Sequence, residues 1–225
     1  MNAGLAERLA AIDERIAAAA RDADRDAATI TRIVVTKFHP ASLVRELAGL
    51  GVVDVGENRH QEAAAKASEL AELPLRWHFI GQLQSNKAAA VRRYAASVQS
   101  IDRLSLVRAL ASEDGSEVDG FIEVDLSGES GRGGVQPADL AALVDAVVAA
   151  PGIRLRGLMT VAPLGAVPAR AFARLRELGD VVRATVPDAA ALSMGMSGDF
   201  ESAIREGATH LRIGTAITGN RPAPR

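Results

Sequence analysis

The chain has 225 residues, 48% of them apolar and 24% charged, with a formal net charge of −2. That balance gives no electrostatic footprint for nucleic acid or an anionic membrane, and 3% aromatics leave no stacking platform for single strands. Cysteine is absent from the sequence, which excludes disulfides, thiolate catalysis and cysteine-ligated metals.

Residues 1–26 are interrupted by Glu7, Asp13, Glu14 and Asp22, a pattern too polar for a signal or transit peptide. Leu5, Leu9, Ile12 and Ile16 recur on one helical face, so a surface helix of a cytoplasmic protein is expected there. Short β-branched or apolar runs then follow at 31–37, 52–58, 76–81, 97–102, 120–127, 155–162, 191–197 and 210–216. Helical stretches separate them. Leu140, Leu143, Val144 and Val147 form one stripe, between Pro137 in a first turn and the stop signal Pro151-Gly152. Phe172, Leu175 and Leu178 form another. Strands alternating with helices imply parallel βαβ units, and eight units close a barrel.

The predicted fold class is therefore α/β, a (β/α)₈ TIM barrel with an extra N-terminal helix, running as a single domain over 1–225. The competing architecture, an open doubly wound sheet, would want a glycine-rich turn after the first strand, where TKFHP stands instead. Polar stretches at 112–119, 127–136 and 163–168 read as loops, and 219–225 as a short tail. The longest apolar runs fall far short of a membrane span.

Active sites of this barrel lie at the C-terminal ends of the strands. The residues expected there are Lys37, Glu57-Asn58, Gly81-Gln82, Asp102, Asp125–Ser127, Thr160, the segment SMGMSG (193–198) and Gly214-Thr215. The loops after strands seven and eight suit a phosphate. Gly195, Gly198 and Gly214 let backbone approach a ligand, Ser197 and Thr215 supply hydroxyls, and a helix beginning near Gly198 with Ser197 as N-cap offers free N–H groups. Taken alone, Ser197 and the glycines would be read as a cap and turns; the two loops together favour a phosphate ligand.

Of the 26 basic residues only Lys37, Lys66 and Lys87 are lysine. A desolvated lysine can lose its proton and attack a carbonyl, which arginine cannot. Lys66 sits in a polar helical stretch and reads as solvated, and Lys87 as a loop cap or ligand contact. Lys37 ends the first strand; beside a phosphate cradle it is the nucleophile candidate rather than a rim lysine reaching for water. Parity on strand eight turns Leu211 and Ile213 to the helices and His210, Arg212 and Gly214 to the axis, while strand five turns Glu123 and Asp125 inward. A cation there needs a carboxylate or a ligand acceptor. The four histidines form no HxH or HxxxH pair, so no metal is expected.

The segments VTKFHP (35–40), GENRHQE (56–62), WHFIGQLQSNK (77–87), SIDR (100–103), GLMT (157–160), SMGMSGDFESAI (193–204) and RIGTAITG (212–219) come in the order of a known family. The chain resembles the YggS/PROSC group of pyridoxal phosphate homeostasis proteins over nearly its whole length. The resemblance implies a barrel like the N-terminal domain of alanine racemase that holds pyridoxal 5′-phosphate (PLP) as a Schiff base on Lys37. It also implies that Ser197, Gly214 and Thr215, together with Ser193, hold the phosphate, that Arg212 faces the pyridine nitrogen and that Asn58 lies beside the ring. A cation at that nitrogen weakens the cofactor as an electron sink. The implied role is a carrier or buffer in PLP homeostasis, a monomer whose recipients are PLP-dependent apo-enzymes, with no robust catalysis.

The competing function is a weak amino-acid racemase. That chemistry wants a base on each face of the substrate, and the second, a tyrosine in the racemases, belongs to a β domain not foreseen here. A Schiff-base aldolase acting on a phosphosugar would use the same lysine and cradle. Thr36, Arg59, Asp125 and Thr218 depart from the family's usual residues and bear on the pocket mouth.

Overall fold

The structure is a computed structural model and describes residues 4–128 and 133–220. The predicted loop at 127–136 and the tail at 219–225 therefore lie partly outside the described residues. The elements run α1 (Leu5–Asp22), β1 (Thr31–Val35), α2 (Ala41–Gly49), β2 (Asp54–Glu57), α3 (His60–Glu69), β3 (Arg76–Phe79), α4 (Ala88–Arg92), β4 (Ala95–Ile101) and α5 (Leu104–Leu110). They continue with β5 (Val118–Glu123), α6 (Leu140–Ala149), β6 (Ile153–Met159), α7 (Pro168–Thr185), β7 (Ala191–Ser193), α8 (Phe200–Arg205), β8 (His210–Ile213) and α9 (Thr215–Thr218). Each predicted run holds a strand. β4, β5 and β6 start two residues early, at Ala95, Val118 and Ile153.

The eight strands pair in parallel and in sequence order, and β1 closes on β8 with Val34 beside Ile213. Closure leaves no edge strand, so every strand side chain faces either the helices or the axis. On β8, Leu211 and Ile213 join the continuous apolar layer under the helices, while His210 and Arg212 do not. On β5, Val118 and Ile122 join it, as does Val124 just after the strand, whereas Phe121 and Glu123 do not. The parity expected from the sequence is the one observed. α1 buries Leu5, Leu9, Ile12 and Ile16 and lies against α8 and α9. Arg8 Nε donates to Ile217 O at 2.6 Å and Arg15 pairs with Glu201 at 2.5 Å.

The axis carries a polar column. Arg212 donates to Ser193 Oγ at 2.6 Å, and Ser193 Oγ donates to Gln99 Oε1 at 2.7 Å. Gln99 Nε2 approaches His78 Nδ1 at 3.5 Å; the ring also meets Ser97 Oγ and Asp54 Oδ1, each at 2.7 Å. Next to this column His210 sits edge-on to Phe121 at 5.1 Å. Burial pushes its pKa down from 6.5 to about 4; His78 adds to the shift and Asp54 opposes it.

Two predictions follow from this architecture. In β6 a bulge carries Gly157 at φ 153°, where a Cβ would lie 1.8 Å from Ala191 O on β7. Gly157→Ala should therefore cost about 3 kcal/mol or more, read as a lowered urea midpoint; an unchanged midpoint would mean that β6 and β7 can part freely. His210 is neutral when folded, but the unfolded chain takes up a proton below 6.5. Its stabilising share is thus complete above pH 6.5 and is lost as the pH falls toward 4. Between pH 7 and 5 the wild type should lose roughly 1–2 kcal/mol that His210→Asn does not lose; parallel slopes would remove His210 as the source.

Candidate functional site

At the C-terminal end of the strands a cleft of about 490 Å³ opens, bordered by Lys37, Asn58, Ser197, Gly198, Arg212, Gly214 and Thr215. Its other walls are Val35, Ile80, Val161 and Met196. Six of the seven residues singled out as ligands thus meet at one place from four strand ends. The wall chemistry is apolar on the flanks and cationic on the floor, with hydroxyls and free amides at one end.

Those amides lie in two loops. Between β7 and α8 the chain makes a turn in which Asp199 N–H donates to Met196 O at 3.2 Å, and Asp199 Oδ1 accepts from Met196 N at 2.6 Å. The N–H groups of Ser197 and Gly198, and that of Thr215 opening α9, have no acceptor among the described residues. Ser197 Oγ accepts from Ala216 N at 3.4 Å, which ties the two loops together. Donors converging from two loops at the C-terminal end of a barrel form an anion cradle.

Several expectations need correction here. Ser197 is not the cap of α8: the helix begins at Phe200 behind Asp199, whose side chain closes the preceding turn. This leaves the Ser197 hydroxyl at the cleft. Gly195, at φ 91°, serves packing rather than ligand approach, since a Cβ would meet Ala203 Cβ of α8 at 2.6 Å. Ser193 does not border the cleft. It is fully buried, with its hydroxyl committed to Gln99 and Arg212, so it braces the arginine.

Arg212 is 4% exposed. Besides Ser193 it donates to Thr160 O at 2.8 Å, and Thr160 Oγ1 in turn donates to Val124 O at 2.8 Å. Burial pulls its pKa down to about 10, against the favourable charges of Glu123 and Asp199, so it stays a cation at neutral pH. The inward Asp125 is used locally. It accepts from Ser127 N, Ser127 Oγ and Gln136 Nε2 at 2.6–2.8 Å, a self-closing turn of the kind Asp favours.

The burial of one lysine differs from expectation. Lys37 is exposed on the cleft wall, whereas Lys66, read as solvated, is the buried one at 5% exposure. Its Nζ donates to Glu57 Oε1 at 2.6 Å, Glu62 Oε1 at 2.8 Å and Thr36 O at 2.9 Å. Desolvation raises the Glu57 pKa, and the hydrogen bond from Lys66 opposes that rise. The local sequence does not show this, because α3 carries only small alanines among its polar residues and no stripe of large apolar side chains marks its buried face. The one signal was the Glu62/Lys66 spacing of four, which usually marks an exposed helical pair. Lys87 borders a smaller neighbouring hollow with Asn58, Arg59 and His60. Asp102 pairs with Arg103 at 2.5 Å and does not border the cleft.

The residues that depart from the family pattern have local roles. Thr36 Oγ1 donates to Glu57 Oε1 at 2.7 Å, using the hydroxyl that serine would also supply. Arg59 covers the Phe38 ring at 5.1 Å, and Thr218 Oγ1 donates to Gly214 O at 3.2 Å. Among the described residues no group of three His, Asp or Glu could hold a metal, and no helix is long and apolar enough to cross a membrane.

Residues 8–222 match the family model for the N-terminal domain of alanine racemase. The chain is 44% identical to a pyridoxal phosphate homeostasis protein of Pseudomonas aeruginosa, across 96% of both chains. It is 37% identical to one of Escherichia coli, across 96% of this chain and 97% of that one. Among solved structures it is similar to PipY of Synechococcus elongatus with PLP bound, at 36% identity and a TM-score of 0.84, covering 96% of this chain and all of that one. An alanine racemase from Corynebacterium glutamicum shares the fold at 18% identity and a TM-score of 0.71, with this chain covering 60% of it.

Proposed function

The chain belongs to the pyridoxal phosphate homeostasis proteins, on the barrel of the alanine racemase N-terminal domain, and from that premise we propose that its cleft holds PLP and that it serves as a carrier of that cofactor. The observation that carries this reading is the meeting of Lys37, Asn58, Arg212, Ser197, Gly214 and Thr215 around one cleft. When bound, PLP supplies an aldehyde that condenses with an amine, releasing one water; Lys37 is the amine.

The residues present fit the group. Ser197, Gly198 and Thr215 offer unshared N–H groups and hydroxyls to a phosphate dianion. Val35, Ile80 and Val161 flank a planar ring. Asn58 Oδ1 is buried without a hydrogen-bond partner among the described residues, an acceptor suited to a ring hydroxyl. Arg212 is the donor for the ring nitrogen. Because it stays charged, it would disfavour a proton on that nitrogen, which favours storage over carbanion chemistry. Ser193 and Thr160 fix the plane of its guanidinium.

A carrier also fits the acid–base inventory of the cleft. Tyr94, the single tyrosine, stacks on His60 at 5.9 Å and does not border the cleft, so it cannot oppose Lys37 across a substrate. The whole chain acts as one PLP-binding domain, a monomer in the cytoplasm, and PLP-dependent apo-enzymes are its recipients.

The test is an absorption spectrum of the purified protein beside Lys37→Ala, before and after borohydride. The wild type should show a near-visible band and retain the cofactor covalently after reduction, and the variant should show neither. A colourless wild type that PLP cannot restore would overturn the reading and leave the cradle to a phosphosugar enzyme. Given L-alanine, the loaded wild type should form D-alanine no faster than free PLP does; a rate tenfold or more above it would make the protein a racemase.

A further inference from the structure

We propose that Lys66 and Glu62 are positioning residues for Lys37, forming a buried ionic knot that grips the peptide groups on both sides of it and so fixes where its amine points. The inference rests on the reading of Lys37 as the cofactor lysine, and goes beyond it by assigning a task to two side chains that lie outside the cleft.

Lys37 occupies the corner of a tight turn. His39 N–H donates to Thr36 O at 3.1 Å, and the intervening Phe38 has φ 69°. A positive φ at the third residue is the geometry of a type II turn, which asks for glycine or asparagine there. A phenylalanine in that region is strained, and such strain persists only where the surroundings impose it. The knot supplies that constraint. Glu62 Oε1 accepts from Phe38 N at 2.6 Å, just after Lys37. Lys66 Nζ donates to Thr36 O at 2.9 Å, just before it.

The two grips are linked, because Lys66 Nζ also donates to that same Glu62 Oε1 at 2.8 Å. Glu57 Oε1, at the end of β2, accepts from Lys66 at 2.6 Å and from Thr36 Oγ1 at 2.7 Å, which anchors the knot to the barrel. From above, Arg59 covers the Phe38 ring at 5.1 Å. The turn is thus held at its carbonyl, its amide and its aromatic ring.

Stability alone does not explain the arrangement. Burying an ammonium with carboxylates recovers little over apolar packing of the same volume, and Glu57 Oε2 is left buried with no hydrogen-bond partner among the described residues. A knot with that cost, at the catalytic face of a barrel and closed around the two neighbours of one lysine, is where strain and polar burial serve function. Lys66 reaches the carbonyl, and Glu62 the amide, of a strand end that apolar side chains could not hold.

The experiment compares wild type, Lys66→Met, Glu62→Ala and Glu62→Gln in the full chain. For each, binding is measured for PLP and for pyridoxine 5′-phosphate, which has the same ring and phosphate but no aldehyde. Covalent retention after borohydride, the near-visible band and the melting temperature are recorded beside them. Lys66→Met and Glu62→Ala should lose about tenfold or more in PLP affinity and in trapping rate, with a shifted band, while pyridoxine 5′-phosphate binding moves less than about twofold. Glu62→Gln keeps an acceptor for Phe38 N–H and should recover most of the PLP affinity.

Equal losses for both ligands would mean a damaged cleft and overturn the proposal, as would folded variants with wild-type trapping and spectrum. If Lys66→Met does not fold, the Glu62 pair decides by the same criteria. A wild type that traps no PLP overturns the proposal together with the function it rests on; a wild type that traps PLP while the variants match it overturns the proposal alone.

Discussion

A closed parallel barrel has no edge, and that constraint divides every strand residue between a helix-covered apolar layer and a narrow axis. The layer takes the aliphatic majority of this chain, among them Val34, Val55, Leu158, Leu211 and Ile213. The axis receives what remains, and here much of it is polar: Arg212, Ser193, Gln99, His78 and Asp54. Buried polar groups are tolerated only when each meets a partner, so the axis organises itself as a hydrogen-bonded column. Arg212 stands at the end of that column nearest the cleft, which is how a core packing solution delivers a fixed cation to a ligand site.

The second buried cation obeys the same rule under other geometry. Lys66 lies beneath the turn after β1, and its three acceptors are two carboxylates and a backbone carbonyl. The two cations frame the cleft differently: Arg212 borders it directly, while Lys66 acts on the backbone that carries Lys37. Two polar assemblies thus stand around an otherwise apolar cleft, one at Arg212 and one beneath the turn that carries Lys37. The anion end is softer. Its donors come from backbone in two loops tied by the contact of Ser197 with Ala216, so it can grip a phosphate without committing a further charged side chain.

Much of this was legible in the chain itself. The eight runs mark the strands because the face of each strand that packs under the helices must be apolar, whatever its other face carries. Lys37, Ser197, Gly214 and Thr215 were legible because they stand at the C-terminal ends of those runs, which converge in a barrel, and Arg212 because strand parity turns it to the axis. Contacts between segments were not legible. Ser197 looks like an N-cap until Asp199 is seen folding back on Met196 N–H. Ser193 looks like a phosphate ligand until its hydroxyl is found between Gln99, 94 positions away in sequence, and Arg212.

The sequence by itself determined the alternation of strands and helices, the parity that turns Arg212 inward, and the set of residues at the strand ends, because each depends on local periodicity and on order along the chain. Tertiary structure alone decided which lysine is buried, which serine braces Arg212 and which borders the cleft, and how the turn at Lys37 is held. Those outcomes depend on the distance between side chains from different strands. Burial of a charge is a property of the neighbours that closure brings to it, and no window of sequence around Lys66 contains Thr36.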